Sequence, residues 1–165
     1  MVVDTANIYG STVTYVISLL RNNLVDVDTP TATGTFKNAR KTTSDWVVSQ
    51  FPKLKKYGYF PGYPMVIVNS PDVTESNITL DQTKINTARI SINILDKADN
   101  NINIDNISGQ VKKVFLDNQT VLNQNGIPKI NLVGSTPVFP MSGDDTLIRT
   151  LDYDITYRKL EGYYD

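Results

Sequence analysis

The chain has 165 residues and a formal net charge of -1, and it contains neither cysteine nor histidine. Those two absences exclude disulfides, thiolate and imidazole metal sites, Ser-His-Asp and Cys-His catalysis, and the usual pH switch. With 40% hydrophobic and 20% charged residues, the composition suits one packed domain over 1–165, with no global pull toward nucleic acid or an acidic membrane.

No apolar run approaches the ~20 residues that cross a bilayer, and no basic-then-apolar leader opens the chain, so no membrane partner and no secretion signal are expected. The Asn-x-Ser/Thr triplets at Asn77, Asn106 and Asn118 are then chance matches in an Asn-rich sequence.

In chain order, residues 1–10 read as a loose arm. The stripe Val13, Val16, Ile17, Leu20, Leu24 predicts a first helix, with Ser11 as its cap. Residues 26–44 carry no periodicity, hold Pro30, Gly34 and many Thr residues, and read as a long extended loop. Asp45 to Pro52 reads as a short strand, because Pro52 disfavours helix at Phe51; a one-turn helix at Ser44 is the alternative. Tyr57 to Pro64 has turn chemistry. Pro64 to Val68 predicts a strand covered on both faces, and Asp72 to Asn77 an acidic loop. Ile78 to Ile94 is strand-rich, with a bulge near 82–84. Within it Ala88, Ile90, Ile92 and Ile94 alternate with polar residues, the pattern of a strand with one buried face. Asp96 to Asn101 turns the chain. Ile104, Ile107, Val111, Val114 and Phe115 then form one helical stripe, with Asp105 as N-cap. Leu116 to Asn125 is polar and ends in the turn signal Asn125-Gly126. Ile130 to Val133 is a short strand, residues 134–145 a loop, and Leu147 to Tyr157 the longest alternating run in the chain. Residues 161–165 read as a tail. The sum is an α+β fold: a mainly antiparallel sheet with two helices on one face and the long loop after the first helix.

Charge is segregated along this order. Lys37, Arg40, Lys41, Lys53, Lys55 and Lys56 face a single acid, Asp45, while the stretch from Asp144 onward is rich in acids. One reading is two solvated surfaces. A second is head-to-tail association, in which one subunit's basic segment meets its neighbour's acidic edge at Asp144, Asp145, Asp152 and Asp154. A third is nucleic-acid contact by Lys37 to Lys56, with Trp46, Tyr57 and Tyr59 as stacking groups. Asp152 and Asp154 share a strand face that a hard cation would suit, but no calcium-loop spacing accompanies them. No nucleophile–base pair and no phosphate-cradling Gly-rich loop is present, so neither a catalytic residue, a metal nor a cofactor is expected.

The order of segments resembles the tail terminator and neck proteins of tailed bacterial viruses, also called tail completion or head–tail joining proteins. A basic Ser/Thr-rich loop precedes Trp46-Val47-Val48-Ser49-Gln50-Phe51-Pro52. Lys53 to Lys56 and Tyr63-Pro64-Met65-Val66-Ile67-Val68 follow, then Ala88 to Leu95 feeding a helix, then the strand Leu147 to Tyr157. The resemblance covers about residues 11 to 160. It implies a non-enzymatic virion protein, made in the host cytoplasm, that forms a hexameric ring with itself. That ring caps the tail tube and docks it to the head connector or stopper, with genome DNA passing through the lumen. On this view Lys37, Arg40, Lys41, Trp46, Lys53, Lys55, Lys56 and Tyr59, together with the four acids, are subunit or tail-tube contacts. A soluble nucleic-acid-binding module, a head-side stopper and a baseplate component are the alternatives.

Overall fold

The computed structural model describes residues 8–25, 46–50, 63–69, 72–76, 85–97, 101–141 and 145–158. Along the chain these form α1 (Ile8–Asn23), β1 (Val47–Val48), β2 (Met65–Val68), β3 (Asp72–Ser76) and β4 (Ile85–Asp96). They continue as α2 (Ile102–Asp117), α3 (Gln119–Gln124), β5 (Lys129–Ser135), β6 (Phe139–Pro140) and β7 (Leu147–Arg158). The class is α+β, and the seven strands make one sheet in the order β1-β2-β4-β7-β5. Its spine is β4 against β7, an unbroken antiparallel ladder from Ile85↔Arg158 to Asp96↔Leu147. Since β7 lines the whole of one edge of β4, β2 and β3 share the other, and β5 and β6 share the far edge of β7. Among the described strands only β1 and β2 run parallel.

The period-two pattern of the spine sorts the core. Ala88, Ile90, Ile92 and Ile94 of β4 and Leu151, Tyr153, Ile155 and Tyr157 of β7 are buried in one cluster with Ile107, Val111, Val114 and Phe115 of α2. This is the strand-to-helix packing the alternation predicts, and Ile92 is 0% exposed. Each such isoleucine contributes about 1.5–3 kcal/mol by leaving water. α1 covers the β1–β2 end of the same face and leans on α2. Its buried face is wider than the predicted stripe, adding Tyr15 and Leu19 to Val13, Val16, Leu20 and Leu24. A helix wedged between a sheet and a second helix has two surfaces to bury.

Several boundaries move. α1 starts at Ile8, so Ser11 lies inside it and residues 8–10 of the expected arm are its first turn. α2 starts a turn before the expected cap: the Asp105 N–H donates to the Asn101 carbonyl, and Asp105 instead binds Arg149 across to β7 at 2.5 Å. An acid in the first turn also suits the positive end of the helix dipole. The expected acidic loop at 72–77 contains β3, which pairs with β4. The polar stretch after α2 contains a third helix, and the expected loop 134–145 contains β6. The turn at Asn125-Gly126 is as predicted. Gly126 has φ +87, its N–H donates to the Asn123 carbonyl, and the Ile127 N–H donates to that of Leu122. With Leu122 and Ile127 both buried, this is a complete left-handed helix stop. The predicted loop 26–44, bulge near 82–84 and tail 161–165 lie outside the described residues.

Candidate assembly surfaces

The sheet face turned away from the helices is lined by the alternate residues of the spine, and there the register sets polar partners directly opposite one another. Arg89 lies opposite Asp154, Ser91 opposite Asp152, and Asn93 opposite Thr150. Each pair is bonded. Arg89 donates from Nε and Nη2 to the two Asp154 oxygens at 2.8 and 3.1 Å. The Ser91 hydroxyl donates to Asp152 at 2.5 Å, and the Thr150 hydroxyl donates to Asn93 Oδ1 at 2.7 Å. The bond and charge of Asp154 raise the Arg89 pKa above its ordinary value.

One step further along, the ladder turns apolar. Met65, Leu95, Ile148 and Phe139 follow one another across β2, β4, β7 and β6. Met65 and Leu95 are buried, while Phe139 is exposed at the edge. Leu132, Val133 and Met141 are exposed nearby in sequence, on and just after the edge strands. The edge is blunted against strand addition. A register shift interrupts β5 between Leu132 and Gly134, and Pro137 and Pro140 remove two donors.

At the opposite edge lies a cleft of about 410 Å³ between α1 and the end of β1. Thr14, Ile17, Ser18 and Arg21 line it from the helix, and Val48, Ser49 and Gln50 from the strand. The helical set follows i, i+3, i+4, i+7 spacing, one face of α1. Arg21 is fixed in place, donating from Nε and Nη2 to the Val47 carbonyl at 3.0 and 2.8 Å. The chain leaving α1 is also tied down. The Val25 N–H donates to Gln110 Oε1 at 2.8 Å, and Gln110 Nε2 donates back to the Val25 carbonyl at 3.2 Å.

The structure redistributes the residues singled out in the sequence. Trp46 is not a surface anchor: it is 1% exposed and belongs to the main core cluster with Val47. A lone tryptophan beside lysines reads as a contact group only until the strand that follows it docks under a helix. Asp152 and Asp154 do share a face, but each is taken up by a partner within the subunit. Asp145 is exposed. Lys37, Arg40, Lys41, Lys53, Lys55, Lys56, Tyr59 and Asp144 lie outside the described residues. The cleft escaped sequence reasoning because its two walls are ~30 residues apart in the chain. The one available signal was Thr14, Ser18 and Arg21 recurring on the flank of an apolar stripe.

No protein-family model matches the chain, and no curated protein matches it. Among solved structures, a chain of the virion of a native gene transfer agent (GTA) particle is similar, with 12% identity and a TM-score of 0.46 over 70% of this chain and 81% of that one. So distant a likeness decides nothing about function.

Proposed function

We propose that the chain is a structural subunit of a tailed-virus particle, sited at the neck, where a ring of copies ends the tail tube and joins it to the head connector. The observation that carries this reading is the order of elements around one sheet. α1 comes first, followed by the basic Thr-rich stretch, the Trp46-led β1, the Tyr63-Pro64 opening of β2, the long alternating β4, α2, and the closing β7. The neck-protein resemblance calls for that order. The six-fold ring, the tail tube and connector as partners, and DNA in the lumen are the finer parts of the reading, drawn from that resemblance. The same reading makes the protein non-enzymatic, in keeping with a sequence that lacks histidine and cysteine.

Electron microscopy of the purified protein, with and without tail tubes, is the test. Six-fold rings seated at one tube end are expected. A strict monomer that ignores tubes, and that holds DNA with an affinity falling steeply as salt rises, would replace this reading with the nucleic-acid module.

A further inference from the structure

Asn125-Gly126 is the sequence's one Asn-Gly step, and it lies inside 101–141, which is described without a break. The nitrogen of the residue after an asparagine can attack the side-chain amide, and a glycine there has no Cβ to hinder the attack. In the folded chain three bonds oppose it. Asn125 Nδ2 donates to the Val121 carbonyl at 2.7 Å. The nucleophile's own N–H, on Gly126, donates to the Asn123 carbonyl at 3.2 Å, and the Ile127 N–H donates to the Leu122 carbonyl at 2.9 Å. The backbone torsion opposes it as well. At Asn125 ψ is 16°, which for an L residue sets the Gly126 nitrogen on the far side of the Cα–C bond from Cβ. Closing a five-membered ring needs the two nearly eclipsed. Yet the helix that holds this geometry is weakly anchored: α3 has six residues and buries only Leu122. Such a segment opens locally at a fraction of the cost of global unfolding.

We infer that Asn125 is a self-deamidation site gated by the helix stop at the end of α3. When the stop opens, the Gly126 nitrogen bonds to Asn125 Cγ, the Cγ–Nδ2 bond breaks, and the Gly126 amide proton leaves with the side-chain nitrogen as ammonia. Water then opens the resulting succinimide at either carbonyl, giving Asp or isoAsp. The sum is asparagine plus water to an acid plus ammonia, with no oxidant or reductant. The change is one-way in structure as well as in chemistry. The new carboxylate has no proton to donate to the Val121 carbonyl and stands at the negative end of α3. In the isoAsp product the backbone is one methylene longer between Leu122 and Ile127, the two residues whose bond closes the stop. The opened stop therefore does not re-form as it was, and the link from α3 into β5 stays loosened.

The test incubates the native protein, the protein unfolded in urea, and a synthetic peptide of residues 121–130 at mildly alkaline pH. Peptide mapping locates the mass gain of deamidation, and isoaspartyl methyltransferase labelling identifies the isoAsp product. The unfolded chain should react at the peptide's rate. The native protein should react at least roughly tenfold more slowly, the factor that about 1.4 kcal/mol of local opening gives. Hydrogen exchange reads the gate independently. The Gly126 and Ile127 amides should exchange well before those of β4 and β7, and the open fraction they report should match the ratio of native to peptide rates. Ile127→Val, a mild loosening of the stop, should raise exchange and deamidation together. Asn125→Asp should keep a cooperative urea transition while losing protection at the Ile127 amide. Native protein that reacts as fast as the peptide, or an Ile127 amide that exchanges only with those of β4, would overturn the gate. Undiminished Ile127 protection in the Asn125→Asp protein would overturn the one-way release.

Discussion

Tyr153 and Tyr157 sit four residues apart on the same face of β7, both buried, yet their hydroxyls have opposite fates. Tyr157 Oη is bonded to Thr12 Oγ1 of α1. Tyr153 Oη has no partner among the described residues, while its ring meets Phe115 edge-on with centroids 4.8 Å apart. Replacing each by phenylalanine should therefore change stability in opposite directions. Tyr157→Phe loses a hydrogen bond with a net contribution of about 1 kcal/mol. Tyr153→Phe removes an unsatisfied buried group whose desolvation costs about 1–3 kcal/mol, less a small void, for a gain of about 1 kcal/mol. With a urea m-value of about 2 kcal/mol/M, the two midpoints should fall about 1 M apart, with m unchanged. Burial also pushes the Tyr157 phenol up to about 12 and that of Tyr153 higher still. In the unfolded chain both ionise near ~10. Between these values the native state binds more protons than the unfolded state. The contribution is therefore complete below pH ~10 and is lost as pH rises toward the folded values. Each phenol adds about 1.4 kcal/mol per pH unit to that alkaline slope, and each Phe variant should remove its share. A Tyr153→Phe protein less stable than wild type, with an alkaline limb unchanged, would refute the reasoning.

Ile92→Asp should abolish folding, read as loss of the cooperative urea transition, because it sets a charge at the centre of the helix-covered sheet face; a folded variant would mean the β4 register is off by one. Arg89→Ala should leave the urea midpoint close to that of wild type, since the Arg89 side chain is 58% exposed and such pairs are screened. Gly126→Ala should destabilise by about 1 kcal/mol from backbone strain alone, as a Cβ there would meet nothing within 4 Å; thermal melting checks it. Reversing Lys37, Arg40 and Lys41 to Glu should weaken ring formation in micrographs while far-UV circular dichroism stays that of wild type, and intact rings would exclude those charges from the contact.

Periodicity made the centre of this fold legible and left its margins blank. Alternation in β4 and β7, and the stripe of α2, each reported a single buried face, and those faces meet. Pro64 to Val68 reported burial on both sides, and all four β2 residues are buried. The misses share a cause. β3 reads Asp-Val-Thr-Glu-Ser, too short and too acidic to show alternation, and is a strand because β4 is long enough to pair with it. α3 buries only Leu122 and so leaves no stripe. Ser11 and Asp105 were plausible caps by residue type, but cap position depends on where tertiary contacts let the first turn begin. Among the candidate site residues, the shared face of Asp152 and Asp154 followed from period two. Their partners Ser91 and Arg89 could not be read, because cross-strand neighbours are fixed by a register between segments more than 60 residues apart.

That register bears on the proposed association between copies of the chain. In the sequence the acids from Asp144 onward look like one unpaired patch, yet the β4–β7 ladder sets two of them against Arg89 and Ser91 on the outer sheet face, where each completes a bond the subunit makes for itself. A neighbour competing for Asp154 would have to displace a two-bond guanidinium contact and so would gain little. Strand addition at the β5–β6 edge is disfavoured by the register shift and the two prolines. Among the described residues another polar means of association is docking of side chains, at a place where donors are held ready. Among the described residues the α1–β1 cleft meets that condition, because the bond that orients Arg21 goes to a backbone carbonyl and leaves its outer donors free.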